Sequence, residues 1–199
     1  HPHHAYSVGE HCIRSLCAIR EDEEFATLEE RWKSALCWTM LLHDSGKTVC
    51  KTTDEKGIDH FYGHGLKSKE IVRNITKRLK FDNFRRDAML KLTEYHDYHP
   101  QETYPSVRKA IHTIGEEYMQ GYFMVQKADI LAQSEYKREE KLEKLTHTRQ
   151  LYEKITEEQQ CVSIKDLALS GIDLIEAGVP KGPQIGKALS YLLEQVLED

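Results

Sequence analysis

Apolar residues recur at three- and four-residue intervals over several long stretches of this chain, and few segments alternate with period two. That spacing lines one face of a helix, so an all-α fold is expected. The first helix is predicted over residues 6–19, closed by an acidic connector at 20–24. A second covers 27–44, with Leu28, Trp32, Ala35, Leu36, Thr39, Met40 and Leu42 marking the inward face and Gly46 offering a stop. Residues 49–61, with Asp54, Gly57 and Asp59, read as a loop or small hairpin, the one place that suggests β-structure. Helical spacing resumes over 65–80 and 83–96, ending at Tyr98, Pro100 and Pro105. Two further helices, 105–114 and 116–133, are separated at Gly115.

Beyond residue 133 the character changes. Residues 134–160 are dense in charge, and Leu142, Leu145, Leu151 and Ile155 supply only a thin apolar stripe, as on a solvated helix with one sticky edge. From 161 onward come Leu167, Leu169, Ile172, Leu174 and Ile175, a turn over 178–183 and a closing amphipathic helix. The expected organisation is therefore a body over residues 1–133 and a charged helix with a helical tail over 134–199. There is no internal repeat and no low-complexity tract.

The 199 residues suit one domain, alone or with a helical appendage, and are too few for two full catalytic domains. The chain starts at His1 instead of Met, which reads as a fragment or renumbered chain. No run of about 20 apolar residues and no signal peptide occurs, so a membrane-spanning or exported protein is not expected. Five scattered cysteines (12, 17, 37, 50 and 161) form no CxxC pair, which argues against disulfides and a cysteine zinc site and fits a reducing cytoplasm. A net charge of −5 argues against bulk electrostatic binding to nucleic acid. A local exception lies over residues 67–86, where Lys69, Arg73, Lys77 and Lys80 recur at helix spacing and can share one face. That face can meet phosphate backbones or simply be solvated. The turn over 178–186 can likewise offer amides to a phosphate, although Gly182 and Pro183 also serve as ordinary helix-start residues.

Eleven histidines are the unusual feature. His43 and Asp44 adjoin at the end of the apolar run WTMLL, which implies burial, and burying an imidazole and a carboxylate is costly unless a partner such as a divalent cation satisfies both. An HD dipeptide alone carries little information, but further candidates fall at or near the ends of other predicted helices. His11 sits in SVGEHCIRSL, His64 in FYGHGLKSKE, His96 in KLTEYHD, and Asp129 in the apolar FMVQKADILAQ, giving the order H, HD, H, H, D. His60, His99, His112 and His147 read as surface or capping residues, and His1, His3 and His4 as a frayed terminus, a tag remnant or native sequence.

This order resembles the signature of the HD superfamily of metal-dependent phosphohydrolases over about residues 3–133. The resemblance implies a helical bundle in which His11, His43, Asp44 and Asp129 hold one divalent ion, and His64 and His96 hold a second with Asp44 bridging. HDSGK resembles the family's HDxGK and places Lys47 near a substrate phosphate, while His96 or Asp97 positions water or the leaving group. Asp97, directly after His96, is the rival to Asp129 for the first ion, and the likeness of KADILAQ to the family's closing helix favours Asp129. The ligand types admit Mn, Fe, Co, Ni, Zn or Mg. Implied substrates are 2′,3′-cyclic phosphates, 2′-nucleotides and nucleotide monoesters.

A narrower resemblance joins HPHHAYSVGEH, ALCWTMLLHDSGK, GIDHFYGHGLKSKEIV, RLKFDN, EYHD and the tail DLALSGIDLIEAGVPKGPQIGKALSYLLEQVL, in the order seen in HD-containing bacterial tRNA nucleotidyltransferases, the CCA-adding enzymes. It implies tRNA or RNA 3′ ends as partners. Neither the GGxxRD-like phosphate loop nor the DxD-like carboxylate pair of the nucleotidyltransferase head is found, so nucleotide addition by this chain alone is not expected. A non-catalytic tRNA-binding body whose N-terminal head is missing, and a free-standing HD nucleotidase, are the alternative readings.

Overall fold

The structure is a computed structural model that describes residues 6–199; His1, His3 and His4 lie outside the described residues. It is all-α, with eleven α-helices and one two-stranded hairpin among the described residues. The chain forms two compact units that interleave in sequence. One takes residues up to 99 together with 117–145, the other residues 100–116 together with 146–199.

In the first unit α1 (Val8–Arg20) packs against α3 (Glu30–Leu42) and α8 (Met119–Ala132), and α3 packs against α6 (Asn83–Tyr95). Between α1 and α3 runs the short α2 (Glu23–Thr27). The acidic connector expected at 20–24 is thus a helix start: Asp22 accepts from the Glu24 amide (2.9 Å) and pairs with Lys127 (2.7 Å). The second predicted helix begins three residues later than expected, after the extended Glu29. After α3 a tight turn leads into α4 (Lys47–Cys50), then strands β1 (Thr52–Thr53) and β2 (Asp59–His60), paired antiparallel as the expected small hairpin. Helix α5 (His64–Arg78) follows and lies along α6.

α8 is the central element. Its sequence MQGYFMVQKADILA is apolar nearly all round, as a core helix must be, and eleven of its fourteen residues are buried. Gln126 and Asp129 are the polar exceptions. Around it Ala35, Leu36, Met40, Val72, Ala88, Met89 and Leu92 are fully buried, and Trp32 packs edge-on against Phe84 and Tyr118. Small residues set the helix spacing. A Cβ on Gly65 would stand 2.7 Å from the Glu94 carbonyl oxygen, so α5 and α6 approach as closely as they do only because position 65 has no side chain.

In the second unit α7 (Tyr104–Ile114) packs against α11 (Pro183–Glu198), which also contacts α10 (Gly171–Glu176) and a 3-10 turn at Ile164–Asp166. Serine–aspartate capping boxes at Ser163 with Asp166 and at Ser170 with Asp173 fix two of these starts, and Pro183 opens α11. The charged helix expected after residue 133 is α9 (Arg138–Glu157), with Ile155 as a buried position. No helix among the described residues is long and apolar enough to cross a membrane.

Because backbone atoms, not a flexible side chain, face Gly65, the Gly65→Ala variant is expected to lose about 1–3 kcal/mol of unfolding free energy, the usual range for overpacking. Urea denaturation followed by circular dichroism measures this.

Candidate metal centre

Five helix-bounded segments converge on one point in the first unit. His11 comes from the first turn of α1, His43 and Asp44 from the turn after α3, His64 from the first residue of α5, His96 from the end of α6 and Asp129 from α8. The turn after α3 is tight because Gly46 donates its amide to Ser68 Oγ (2.8 Å), and a Cβ there would lie 2.4 Å from the His64 carbonyl oxygen. Glycine at 46 therefore sets the distance between the HD doublet and His64.

The six side chains form two clusters that share one carboxylate. On one side the His11 Nε2 lies 2.8 Å from Asp129 Oδ1, 3.2 Å from His43 Nε2 and 3.6 Å from Asp44 Oδ2. His43 Nε2 stands 3.3 Å from Asp129 Oδ1 and 3.6 Å from Asp44 Oδ2. On the other side His64 Nε2 and His96 Nε2 are 3.0 Å apart, and each lies 3.4 Å from Asp44 Oδ1. Asp44 thus turns one oxygen toward each cluster. All but His11 are buried, and His11 is nearly so.

The tautomers follow from the anchors. His43, His64 and His96 hold their Nδ1 atoms 2.8, 2.9 and 2.8 Å from the carbonyl oxygens of Met40, Phe61 and Thr93. A carbonyl only accepts, so each Nδ1 carries the proton, and in the neutral ring Nε2 presents a lone pair inward. Lone pairs 3.0 Å apart repel unless a proton or cation lies between them. Asp44 Oδ1, buried between two such nitrogens, accepts no hydrogen bond. Imidazole nitrogens fixed through their far side and a shared carboxylate form a donor set that suits one or two divalent cations.

The ionisation tendencies agree. Burial pushes the Asp44 carboxyl up, but His64, His96, His43 and Lys47 outweigh it and hold it far below the usual range. Burial likewise opposes the charge on Asp129, and His11 and His43 overcome it. Burial lowers His43, yet Asp129 and Asp44 raise it on balance. Both carboxylates are ionised, ready for positive charge. Cys12, beside the centre, is pushed up to about 11 by burial and by Asp44, so it is a neutral thiol at pH 7.

A cavity of about 440 Å³ opens over the centre, lined in part by His11, Asp44, His64, Lys47 and Asp97. Lys47 Nζ lies 2.7 Å from Asp44 Oδ2. Asp97 does not join the clusters: Asp129 occupies the position beside His11 and His43, while Asp97 stays exposed in the wall, 3.5 Å from His99. The three basic positions of α5 separate. Arg73 and Lys77 are exposed, but Lys69 is paired with Glu94 of α6 and faces inward along the helix pair.

Several contributors escaped the sequence reading. Gln133 donates to Asp129 Oδ2 (2.6 Å) and accepts from Lys141, orienting the carboxylate from outside the clusters. Gln126 donates to the His96 and Tyr98 carbonyls, and Tyr122 donates to the same Tyr98 carbonyl (2.6 Å), which clamps the end of α6. Gln133 closes the quoted run KADILAQ, so its place one helical turn after Asp129 was visible in principle. His60, read as a surface residue, lines the cavity.

The family described as tRNA nucleotidyltransferase domain 2 matches residues 52–199. Two curated relatives, each named multifunctional CCA protein, come from Actinobacillus pleuropneumoniae serotype 5b (strain L20) and serotype 7 (strain AP76). Each is 31% identical over 86 residues, which cover 43% of this chain and 20% of the relative. The matched part thus spans about a fifth of those proteins. No solved structure matches the chain at a significant level.

The shared carboxylate sets the expected stoichiometry after loading with Mn²⁺ and dialysis. The parent chain should retain two ions, His96→Ala one, and Asp44→Ala none, as counted by plasma mass spectrometry. Full occupancy of Asp44→Ala would show that the clusters do not hold the metal.

Proposed function

The chain belongs to the tRNA nucleotidyltransferase domain 2 family, and from that premise we propose that its histidine–aspartate centre is a divalent-metal-dependent phosphohydrolase site of the HD superfamily type. The observation that supports this most is the division of one buried carboxylate between two histidine clusters. His11, His43, Asp44 and Asp129 would hold one ion and Asp44, His64 and His96 a second, with Mn, Fe, Co, Ni, Zn or Mg compatible with these donors. A divalent ion supplies Lewis-acid polarisation of a phosphoryl oxygen and acidifies water.

The chain's own groups complete the chemistry. Lys47 Nζ, already held beside Asp44, offers N–H donors to a phosphate oxygen entering the cavity. His96, anchored through Nδ1 on the Thr93 carbonyl, would act on the reacting group through the second ion that its Nε2 would hold. Asp97, in the cavity wall, takes up the proton of the attacking water or returns one to the leaving oxygen at its carboxylate. A cavity of about 440 Å³ is large enough for a nucleotide, which fits 2′,3′-cyclic phosphates, 2′-nucleotides and nucleotide monophosphates. In this reading residues 1–133 carry the site and 134–199 form the charged helix and tail.

One observation favours a second reading, a non-catalytic tRNA-binding body that works with an N-terminal nucleotidyltransferase head. The family match spans the tail and the exposed Arg73 and Lys77 but omits His11, His43, Asp44 and Lys47.

Hydrolysis of 2′,3′-cyclic AMP and p-nitrophenyl phosphate by the metal-loaded chain separates the two. The hydrolase reading expects turnover, abolished in His43→Ala/Asp44→Ala, with kcat/KM lowered by about 10²–10³-fold in Lys47→Ala. Retained metal with no turnover, together with salt-sensitive tRNA binding that weakens in Arg73→Ala/Lys77→Ala, would favour the binding body. Turnover of mononucleotides with no tRNA affinity would favour a free-standing nucleotidase.

A further inference from the structure

The floor of the cavity is polar, but its rim carries Tyr6, Phe61 and Tyr62 together with His60. Tyr62 stands out because its large ring is 79% exposed and yet held in place. Its ring stacks on His60, with centroids 5.2 Å apart and planes within 7°, and its hydroxyl lies 3.3 Å from His60 Nδ1. His60 is fixed in turn: its Nε2 is 3.0 Å from Asp54 Oδ2, and Asp54 Oδ1 accepts from the amides of Lys56 and Ile58 at 2.9 Å each. With Nε2–H donated to the carboxylate, Nδ1 is left as the acceptor the Tyr62 hydroxyl needs.

The strand pairing supports this arrangement from below. Thr52 opposes His60 and Thr53 opposes Asp59, whose carboxylate receives Thr53 Oγ1 (2.7 Å) and Lys51 Nζ (2.8 Å). The hairpin therefore spends its hydrogen bonds on holding one imidazole against one side of an exposed phenol ring. The same short segment builds the centre: the Phe61 carbonyl orients His64, two residues beyond Tyr62, and the Phe61 ring lies 5.9 Å from Lys47 Nζ. An ordered, outward-facing aromatic ring on the rim of the cavity that Lys47 also lines has the chemistry of a base-stacking surface.

We propose that Tyr62, backed by His60, is the stacking platform for a nucleobase whose phosphate lies over the histidine–aspartate centre. This rests on reading that centre as a phosphoester site. It makes the site selective for nucleotides and RNA termini over phosphoesters that lack a base, with little preference among bases, because every base offers a π-face.

Calorimetric titration of the Mn²⁺-loaded chain with two probes tests the platform without relying on turnover. One is the methylenephosphonate analogue of adenosine monophosphate, which has a base but no cleavable ester; the other is methylphosphonate, which has no base. The parent chain should bind the adenosine compound about ten-fold or more tightly than methylphosphonate, and Tyr62→Ala should remove most of that advantage, in line with the usual worth of a base–aromatic stack. Tyr62→Phe should keep it. Equal affinity of the parent for both probes, failure of the adenosine compound to bind, or an undiminished advantage in Tyr62→Ala would overturn the platform. Tyr62-dependent base discrimination without hydrolysis of 2′,3′-cyclic AMP would sustain the platform and sink the hydrolase reading; hydrolysis with base-blind binding would do the reverse.

Discussion

The first unit is organised around the Asp44 carboxylate. A carboxylate removed from water needs positive charge or donors on both oxygens; Asp44 has the Lys47 ammonium on Oδ2 and an imidazole pair facing each oxygen, while Oδ1 accepts no hydrogen bond. No single helix can supply these partners, because consecutive helical residues point about 100° apart. They come instead from α1, the turn after α3, the start of α5 and the end of α6, with α8 closing one side through Asp129. The close packing at Gly46 and Gly65 serves this convergence as much as it serves the core.

One local device repeats at the centre. His43, His64 and His96 each bend back so that Nδ1 meets the carbonyl three residues earlier. At the C-terminal ends of α3 and α6 carbonyls lack a complete set of helical partners, and before α5 the Phe61 carbonyl has a second lone pair beyond the one that accepts the His64 amide, so each imidazole satisfies the backbone and aims its other nitrogen inward at once. Three rings are thus oriented by local geometry, and long-range packing has only to bring their helix ends together. Gln126, which holds the His96 carbonyl from α8, and Gln133, which holds Asp129, provide that second level of support.

The split between local and distant interactions decides what was legible in the sequence. Helix period, the hairpin and the six clustered side chains could be read, because apolar spacing and motif order are properties of short windows. Lys69 shows the opposite case: it shares a helix face with Arg73 and Lys77 in sequence, but a glutamate 25 residues away turns it inward. That Asp129 and not Asp97 lies beside His11 likewise depends on the packing of α8 against α1, which no spacing encodes. The interleaved units follow the same rule. Residues 100–116 look like a continuation of the body, yet α7 packs on α11, with Lys109 meeting Glu198 and His112 bonding the Val162 carbonyl.

Lys47 links the charge of the centre to the cavity above it. Its ammonium rests on Asp44 Oδ2, the oxygen that also faces His11 and His43. A single ammonium cannot give its full attraction to this carboxylate and to an incoming phosphate, and the division depends on how negative Asp44 remains. Positive charge placed between Asp44 and the imidazoles weakens the hold on Lys47, since at a separation of a few ångströms in a partly buried site each unit charge matters by several kcal/mol, about 4 at 4 Å for an effective dielectric of 20. In the hydrolase reading, a loaded centre therefore leaves Lys47 free to turn to phosphate, whereas an unloaded one keeps it on the aspartate. Its sequence position, three residues after Asp44 with Gly46 between, is what places one cation within reach of both.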